Sequence, residues 1–322
     1  MGLIAGGKRG SVLRYLSRRM PLGRGFTGWV VERPGLHLSE KQIDDLIAGI
    51  KRIAGQTLKS ETLDYGIFAD KSSNTALKNS ILTVIYDKKQ NEMVGFNCMP
   101  LLDIEVQGQT QSIVHLGLVM VDPDTRSRGV TSLLYGLASI LWLIRNQFRP
   151  IWISSVTQVP AVVGQVSELY SNTFPTLHKS SRRSFTHLQI ARRVMKSHRA
   201  AFGVGEDAEF DDENFVIRNA YTGGSDNLKK TFEVATKHRK AAYNEMCEQM
   251  LDYDRGDDFL QIGVLNGAAV RHYFLRKDPD SPWLVPLMAI IGFTFQALFL
   301  PLIYWFNSSK AWGDLRPWGQ KS

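Results

Sequence analysis

Between Ser39 and Ala54 the apolar side chains recur at Ile43, Leu46, Ile47, Ile50 and Ile53, the spacing of one helix face. Ser39, with Gln42 three residues later, supplies a capping box at the start of this predicted amphipathic helix. Ile81 to Tyr86 and Met93 to Cys98 are short β-branched, aliphatic and aromatic runs joined by the polar stretch Asp87 to Asn91, and Ile104 to Ser112 turns at Gly108. They predict antiparallel strands, the third ending near Val121. Ser132 to Phe148 follows Gly129 and is too long and too apolar for a strand, so it predicts a buried helix, with Ile151 to Val156 a buried strand behind it. Strand, helix and strand in that order require a crossover connection inside a mixed sheet. Asn214 to Arg218 and Phe259 to Leu265 read as further strands flanking a helix from Asp226 to about Asp252. The fold class that results is α/β, a mixed and mostly antiparallel sheet flanked by helices.

Hydropathy divides the chain further. Trp283 to Phe306 is 24 residues without a charge, Thr294 and Gln296 being its polar side chains. As a helix it would reach ~36 Å, against ~30 Å for a bilayer's hydrocarbon core. Trp283 at one end and Tyr304, Trp305 and Trp312 near the other resemble interfacial anchors, so a C-terminal membrane helix is expected. Pro286, Gly292 and Pro301 leave an in-plane element open, and a core helix closing the domain is the alternative. Met1 to Arg24 carries Lys8, Arg9, Arg14, Arg18, Arg19 and Arg24 without an acid or a secretory apolar stretch. A transit peptide, a membrane-surface helix and a solvated basic tail all fit it. The expected organisation is a basic segment at 1–30 and a catalytic domain at 31–270. That domain has a core at 81–175 and a helical insertion at about 176–256. An apolar segment at 283–306 and a tail at 307–322 follow.

Charge narrows the choice of partner. Lys and Arg number 39 against 31 Asp and Glu in 322 residues, which favours contact with anionic groups. With Cys98 and Cys247 as the whole cysteine complement, a multi-disulfide scaffold, a CxxC redox centre and a Cys-based zinc site are excluded, and a reducing, cytoplasm-facing compartment is expected. Seven Lys and Arg residues between His178 and Arg199 are followed by six acids between Glu206 and Glu213, blocks that neutralise each other or dock an acidic partner. These basic segments lack interleaved aromatics, which argues against nucleic-acid binding.

The run from Val119 to Thr131, Val-Met-Val-Asp-Pro-Asp-Thr-Arg-Ser-Arg-Gly-Val-Thr, lies between the predicted strand and the buried helix. A tight strand-to-helix turn aims unpaired backbone N–H groups into one concavity, where the helix dipole adds partial positive charge, so a pyrophosphate is a natural ligand. Gly129 lets the backbone approach without a Cβ, and Arg126 and Arg128 add charge.

Arg126-x-x-Gly129-x-Thr131, with Pro123 ahead of it and Tyr170 within Glu168-Leu-Tyr-Ser-Asn172, resembles the acyl-CoA loop and helix-borne tyrosine of the GCN5-related N-acetyltransferase (GNAT) superfamily, over roughly Ile81 to Pro175. The departures are Thr131, where the family has Gly or Ala, and Phe174-Pro175 in place of a Leu-Gly-Phe-like turn. The resemblance implies an acyl-CoA co-substrate, or the phosphopantetheine of an acyl carrier protein, and no metal. Leu118, Val119, Met120 and Val121 would hold the pantetheine arm like an added strand. Arg126, Ser127, Arg128, Gly129, Val130 and Thr131 would hold the phosphates, and Tyr170 would protonate the departing thiolate. His115, with a reference pKa near neutrality, is a candidate base, and Glu105 and Asp103 compete with it. The expected protein is a membrane-associated N-acyltransferase with a lipidic or other amine acceptor and its catalytic domain facing the cytoplasm. The alternative is a non-catalytic CoA or lipid sensor or scaffold of the same fold. Oligomeric state is left open.

Overall fold

The computed structural model describes residues 15–22, 25–58, 63, 65–68, 76–106, 109–128, 130–178 and 181–270, together with 294, 298, 299 and 302. The chain divides into two compact units, 1–266 and 267–322, and the first carries the whole of the sheet.

Strands β1 (Ser17–Leu22), β2 (Phe26–Glu32), β3 (Ser80–Asp87), β4 (Glu92–Val106) and β5 (Gln109–His115) follow one another antiparallel. β7 (Ile151–Thr157) lies parallel to β5, and beyond it come β11 (Asp258–Leu265), β10 (Val216–Arg218) and β9 (Glu209–Asp211), all antiparallel. β6 (Val119–Val121) pairs with β4, and β8 (Ser171–Phe174) with β11. The mixed, mostly antiparallel sheet is the one the hydrophobic runs predict, and its parallel pair is the predicted crossover.

Helices cover both faces. α1 (Glu40–Thr57) is closed at its start by the predicted box: Ser39 Oγ accepts from the Gln42 N–H and the Ser39 N–H donates to Gln42 Oε1 at 3.0 Å. Its Leu46, Ile50 and Ile53 pack with Trp29, Leu82, Phe96 and Cys98. α4 (Phe185–His198) covers the same face farther along β4, through Ile190 and Val194 against Leu102, Ile104, Ile113 and Leu260. Cys98, Leu102 and Ile104 share this face by their even spacing along β4. On the opposite face α2 (Val130–Arg145) packs Val130 and Leu134 on Phe26, Ile85 and Val94, while α3 (Pro160–Leu169) and α5 (Ala241–Met250) enclose Val163, Tyr243 and Phe259.

Three expectations change. Residues 17–22 and 26–30 of the basic N-terminal segment are neither tail nor helix: β1 and β2 continue the sheet, with Phe26 and Trp29 in the core. Arg19 contributes to this by stacking on the Trp29 ring at 4.3 Å. The helix expected from Asp226 to Asp252 shrinks to α5, because the polar stretch before Ala241 has too few apolar positions to hold a helix face. Segment 176–256 is not wholly helical, since β9 and β10 extend the sheet edge. The acidic block does neutralise the basic one: Arg192 Nε donates to Asp212 at 2.7 Å, and Arg183 and Arg199 donate to carbonyls of the acidic loop. The predicted membrane segment 283–306 lies almost entirely outside the described residues, among which no helix is long and apolar enough to cross a membrane.

Candidate active site

β5 and β7 run side by side as far as His115 and Ser154, and the Leu116 N–H still donates to the Ser154 carbonyl at 2.7 Å. There they part. The chain crosses Gly117, where a Cβ would stand 2.1 Å from the Cys98 carbonyl oxygen, and re-forms as β6 against Asn97, Phe96 and Gly95 of β4. Cys98 N–H to Leu118 O (3.1 Å) and Asp122 N–H to Val94 O (2.9 Å) seal the two ends of that pairing. β7 meanwhile continues to Thr157, held by β11 through Phe259. Among the described residues no ladder bond joins Leu118–Val121 to Ser155–Thr157, so one edge of β6 presents alternate N–H and C=O groups to a wedge between the strands. The side chains of Met120 and Val121 are core, so only backbone is offered there.

The turn Pro123–Arg128 carries the chain from β6 into α2, as the phosphate-loop reading requires. It is pinned from within: Thr125 Oγ1 donates to the Asp122 carbonyl at 3.1 Å and Asp124 N–H to Asp122 Oδ1 at 3.0 Å. Arg128 lies over the Phe26 ring at 4.1 Å and donates to Asp87 at 3.1 Å. The Lys89 N–H first, and Arg128 second, hold the Asp87 carboxyl below its usual range. Of the predicted phosphate ligands, Arg128 is thus tied to β2 and β3, and Val130 is fully buried under β4. Gly129 and the side chains of Arg126, Ser127 and Thr131 lie outside the described residues.

Tyr170 caps the C-terminus of α3, its N–H bound to the Val166 carbonyl at 3.1 Å. Its hydroxyl is hydrogen-bonded with Ser139 of α2, near Tyr135, and burial pushes the phenol up to about 12. It therefore stands between the two helices that flank the wedge on one face, protonated throughout the neutral range. His115 points to the other face. It is 2% exposed, stacks on Phe202 at 4.7 Å and places Nδ1 3.0 Å from Ser154 Oγ; burial lowers it to about 3, so it is neutral and enclosed. Glu105 is exposed opposite Thr110 at the hairpin end, five residues or ~17 Å along β5 from His115. Asp103 is opposite Ser112, accepts its hydroxyl, and meets Arg33 at 3.5 Å. The structure thus sets Tyr170 between α2 and α3 and leaves Glu105 and Asp103 on the β4–β5 hairpin, away from the wedge. Among the described residues no cluster of His, Cys, Asp or Glu could hold a metal ion.

One buried acid was not foreseen. Asp258 opens β11 beside the end of β7, on the His115 face, 4% exposed, with Oδ1 accepting from Tyr221 Oη at 2.9 Å. Burial raises its carboxyl to about 7. Tyr65 lies within electrostatic reach of both Asp258 on β11 and Cys98 on β4. The sequence signal was slight: two acids, Asp257 and Asp258, immediately before an apolar strand.

No family model and no curated protein matches the chain. Solved structures do. The ribosomal-protein-S5-alanine acetyltransferase of Vibrio fischeri is 8% identical over 78% of this chain and 98% of its own, at a TM-score of 0.35. Nourseothricin acetyltransferase is 20% identical over 24% of this chain and 41% of its own, at 0.18. The toxin AtaT, bound to the C-terminus of the antitoxin AtaR and acetyl-CoA, is 11% identical over 32% and 64%, at 0.24. Likenesses of this size leave the function to be read from the site itself.

Proposed function

We propose that the chain is an acyl-CoA-dependent N-acyltransferase of the GNAT type. The observation that carries this reading is the edge of Leu118–Val121, without a ladder partner among the described residues, opening between parted parallel strands onto the turn that starts α2. An extended acyl-pantetheine arm would add to that edge as a strand does, its pyrophosphate meeting the N–H groups at the helix start. The acceptor amine attacks the thioester carbonyl directly, and Tyr170 gives its proton to the thiolate as the C–S bond breaks. Calorimetric titration with acetyl-CoA, followed by a free-thiol assay with added amines, tests it. No heat of binding and no thiol release refute it.

The finer reading is that the enzyme works at a membrane surface on an acceptor drawn from it. Its support is the uncharged run 283–306, in which the described Leu298 and Leu302 are 60% and 54% exposed. A carrier-protein donor would instead use the exposed cations of α4. Arg192 and Arg199 there already serve the acidic loop, which leaves Arg193 and Lys196 for a partner and favours free acyl-CoA.

A further inference from the structure

We propose that the Ser155 hydroxyl donates to the thioester carbonyl oxygen of the acyl donor and stabilises the negative charge that gathers there as the amine adds; this rests on the acyltransferase reading above. β7 changes character at the fork. On the face covered by α2 and α3 it reads Ile151, Ile153, Ser155 and Thr157, since Gln261, paired with Ser155, bonds Val163 and Ser167 of α3, whereas Ser154 turns to His115 on the other face. The two isoleucines lie where β5 is still alongside, Ile153 facing Val114, and the hydroxyls of this face begin where β5 leaves. A central strand buried on both faces favours aliphatic side chains along its whole length. Hydroxyls confined to its unzipped part call for a polar neighbour that the chain itself does not supply.

The bonding of these hydroxyls singles out one of them. Ser154 Oγ lies 3.0 Å from His115 Nδ1, Thr157 Oγ1 accepts the Val159 N–H at 3.1 Å, and Ser167 Oγ accepts from Gln261 Nε2 at 3.0 Å. Ser155 is 2% exposed, and among the described residues its hydroxyl has no hydrogen-bond partner. An enclosed hydroxyl left unbonded costs free energy, which a ligand oxygen accepting its proton removes.

Ser155 also stands at the level the thioester would reach. The Leu116 N–H donates to the Ser154 carbonyl, so Leu116 is level with Ser155 and Gly117 is one residue beyond. From Asp122, where the phosphate turn begins, back to Gly117 is ~17 Å of strand. A pantetheine arm, about thirteen bonds from phosphorus to sulfur, spans ~15 Å at backbone dimensions. The acyl carbon therefore falls within a residue or two of Ser155, at the narrow end of the wedge. Tyr170 follows Ser167 by one helical turn on α3, so it is on the same face as Ser155 and ~5 Å along from its level.

Electrons and protons balance. The nitrogen lone pair forms the C–N bond while the C=O pair moves onto oxygen, where the Ser155 O–H meets it without giving its proton away. As that pair returns, the C–S bond breaks and sulfur takes a proton from Tyr170. The proton shed by nitrogen restores the Tyr170 hydroxyl.

The test reads the donor before any acceptor is added. With carbonyl-labelled [13C]acetyl-CoA bound, the infrared band of the thioester C=O should lie at higher frequency in Ser155→Ala than in the wild type, and Ser155→Thr, which keeps a hydroxyl, should bring it back. Calorimetric affinity for acetyl-CoA should be nearly unchanged, and kcat with ethanolamine or n-octylamine should fall ~10²-fold. Ser155→Cys, a weaker donor of similar shape, should give an intermediate band and replaces the Ala variant if that protein does not fold. The same band in wild type and folded variant overturns the assignment. So does an equal loss of affinity for acetyl-CoA and for CoA, which lacks the carbonyl, because the hydroxyl would then hold the arm. Failure of the wild type to bind acetyl-CoA at all is a separate result, which overturns the acyltransferase reading and this proposal with it.

Discussion

His115 is the last residue of β5 to pair with β7, and its partner in the ladder, Ser154, also holds its ring, Nδ1 lying 3.0 Å from the serine hydroxyl. The histidine at the fork of the two strands is therefore fixed as a neutral wedge between Ser154 and Phe202. Burial lowers its pKa to about 3, below the unfolded value near 6.5, so between those values the unfolded chain holds a proton that the folded one lacks. Its contribution to stability is complete above pH ~6.5 and is lost as pH falls toward 3. His115→Gln should flatten the fall in Tm between pH ~6.5 and ~4 and leave the pH profile of turnover where it was. A turnover profile that loses its neutral limb in this variant would restore His115 as the base.

Asp258 has the opposite sign. Its carboxyl is raised by burial to about 7, above the unfolded value near 3.9, so the folded state binds the extra proton. The stability it confers is complete below the unfolded value and is lost as pH rises through about 7. Asp258→Asn should therefore match the wild-type Tm at pH 4 and exceed it at pH 8, by ~3 °C for each kcal/mol relieved. Equal Tm differences at the two pH values would show that the carboxyl is not strained in the folded state.

Gly117 makes the parting of the strands possible. A Cβ at this position meets a backbone oxygen, which cannot turn aside as a side chain does. Gly117→Ala should cost ~1–3 kcal/mol, seen in urea unfolding, and should weaken acetyl-CoA binding because β6 is displaced from β4. Full stability with full affinity would mean that the β6 edge is not the donor's seat.

Much of this architecture is legible in the chain. The period of α1, its Ser39 and Gln42 box, the β3–β4 hairpin and the strand-helix-strand crossover follow from local pattern, because each buries one face whose period is written in the residues. Position along the chain was legible, but position in space was not. His115 reads as a base by its chemistry, and only the ladder shows it enclosed beneath Phe202. Arg128 reads as a phosphate ligand, and only the fold brings it to Asp87, 41 residues away. Asp258 and Tyr65 are nearly 200 residues apart, so no spacing rule could join them. The basic N-terminus misled for another reason: Arg18 and Arg19 stand on an exposed edge strand, where charge is normal and hides the strand beneath it.

Leu298 and Leu302 are one helical turn apart and each more than half exposed. If this apolar pair meets lipid, Leu298→Glu with Leu302→Glu should abolish co-flotation of the protein with phosphatidylcholine vesicles while leaving acetyl-CoA binding intact. Unchanged flotation would remove the support for a membrane-drawn acceptor.

Tyr170 offers the sharpest separation of binding from chemistry. Its ring is wedged between α2 and α3, so Tyr170→Phe keeps the packing and removes only the hydroxyl shared with Ser139. A phenol pushed up to about 12 is a poor acid in free solution but a fit donor to an alkyl thiolate forming beside it, since the proton moves only as negative charge builds on sulfur. Turnover with acetyl-CoA should fall ~10²-fold, with donor affinity unchanged. The same substitution should matter far less with an acetyl thioester of an aryl thiol, whose thiolate leaves without needing a proton. An equal loss with both donors would assign Tyr170 to positioning the arm rather than to protonating it, and no loss with either would return it to packing.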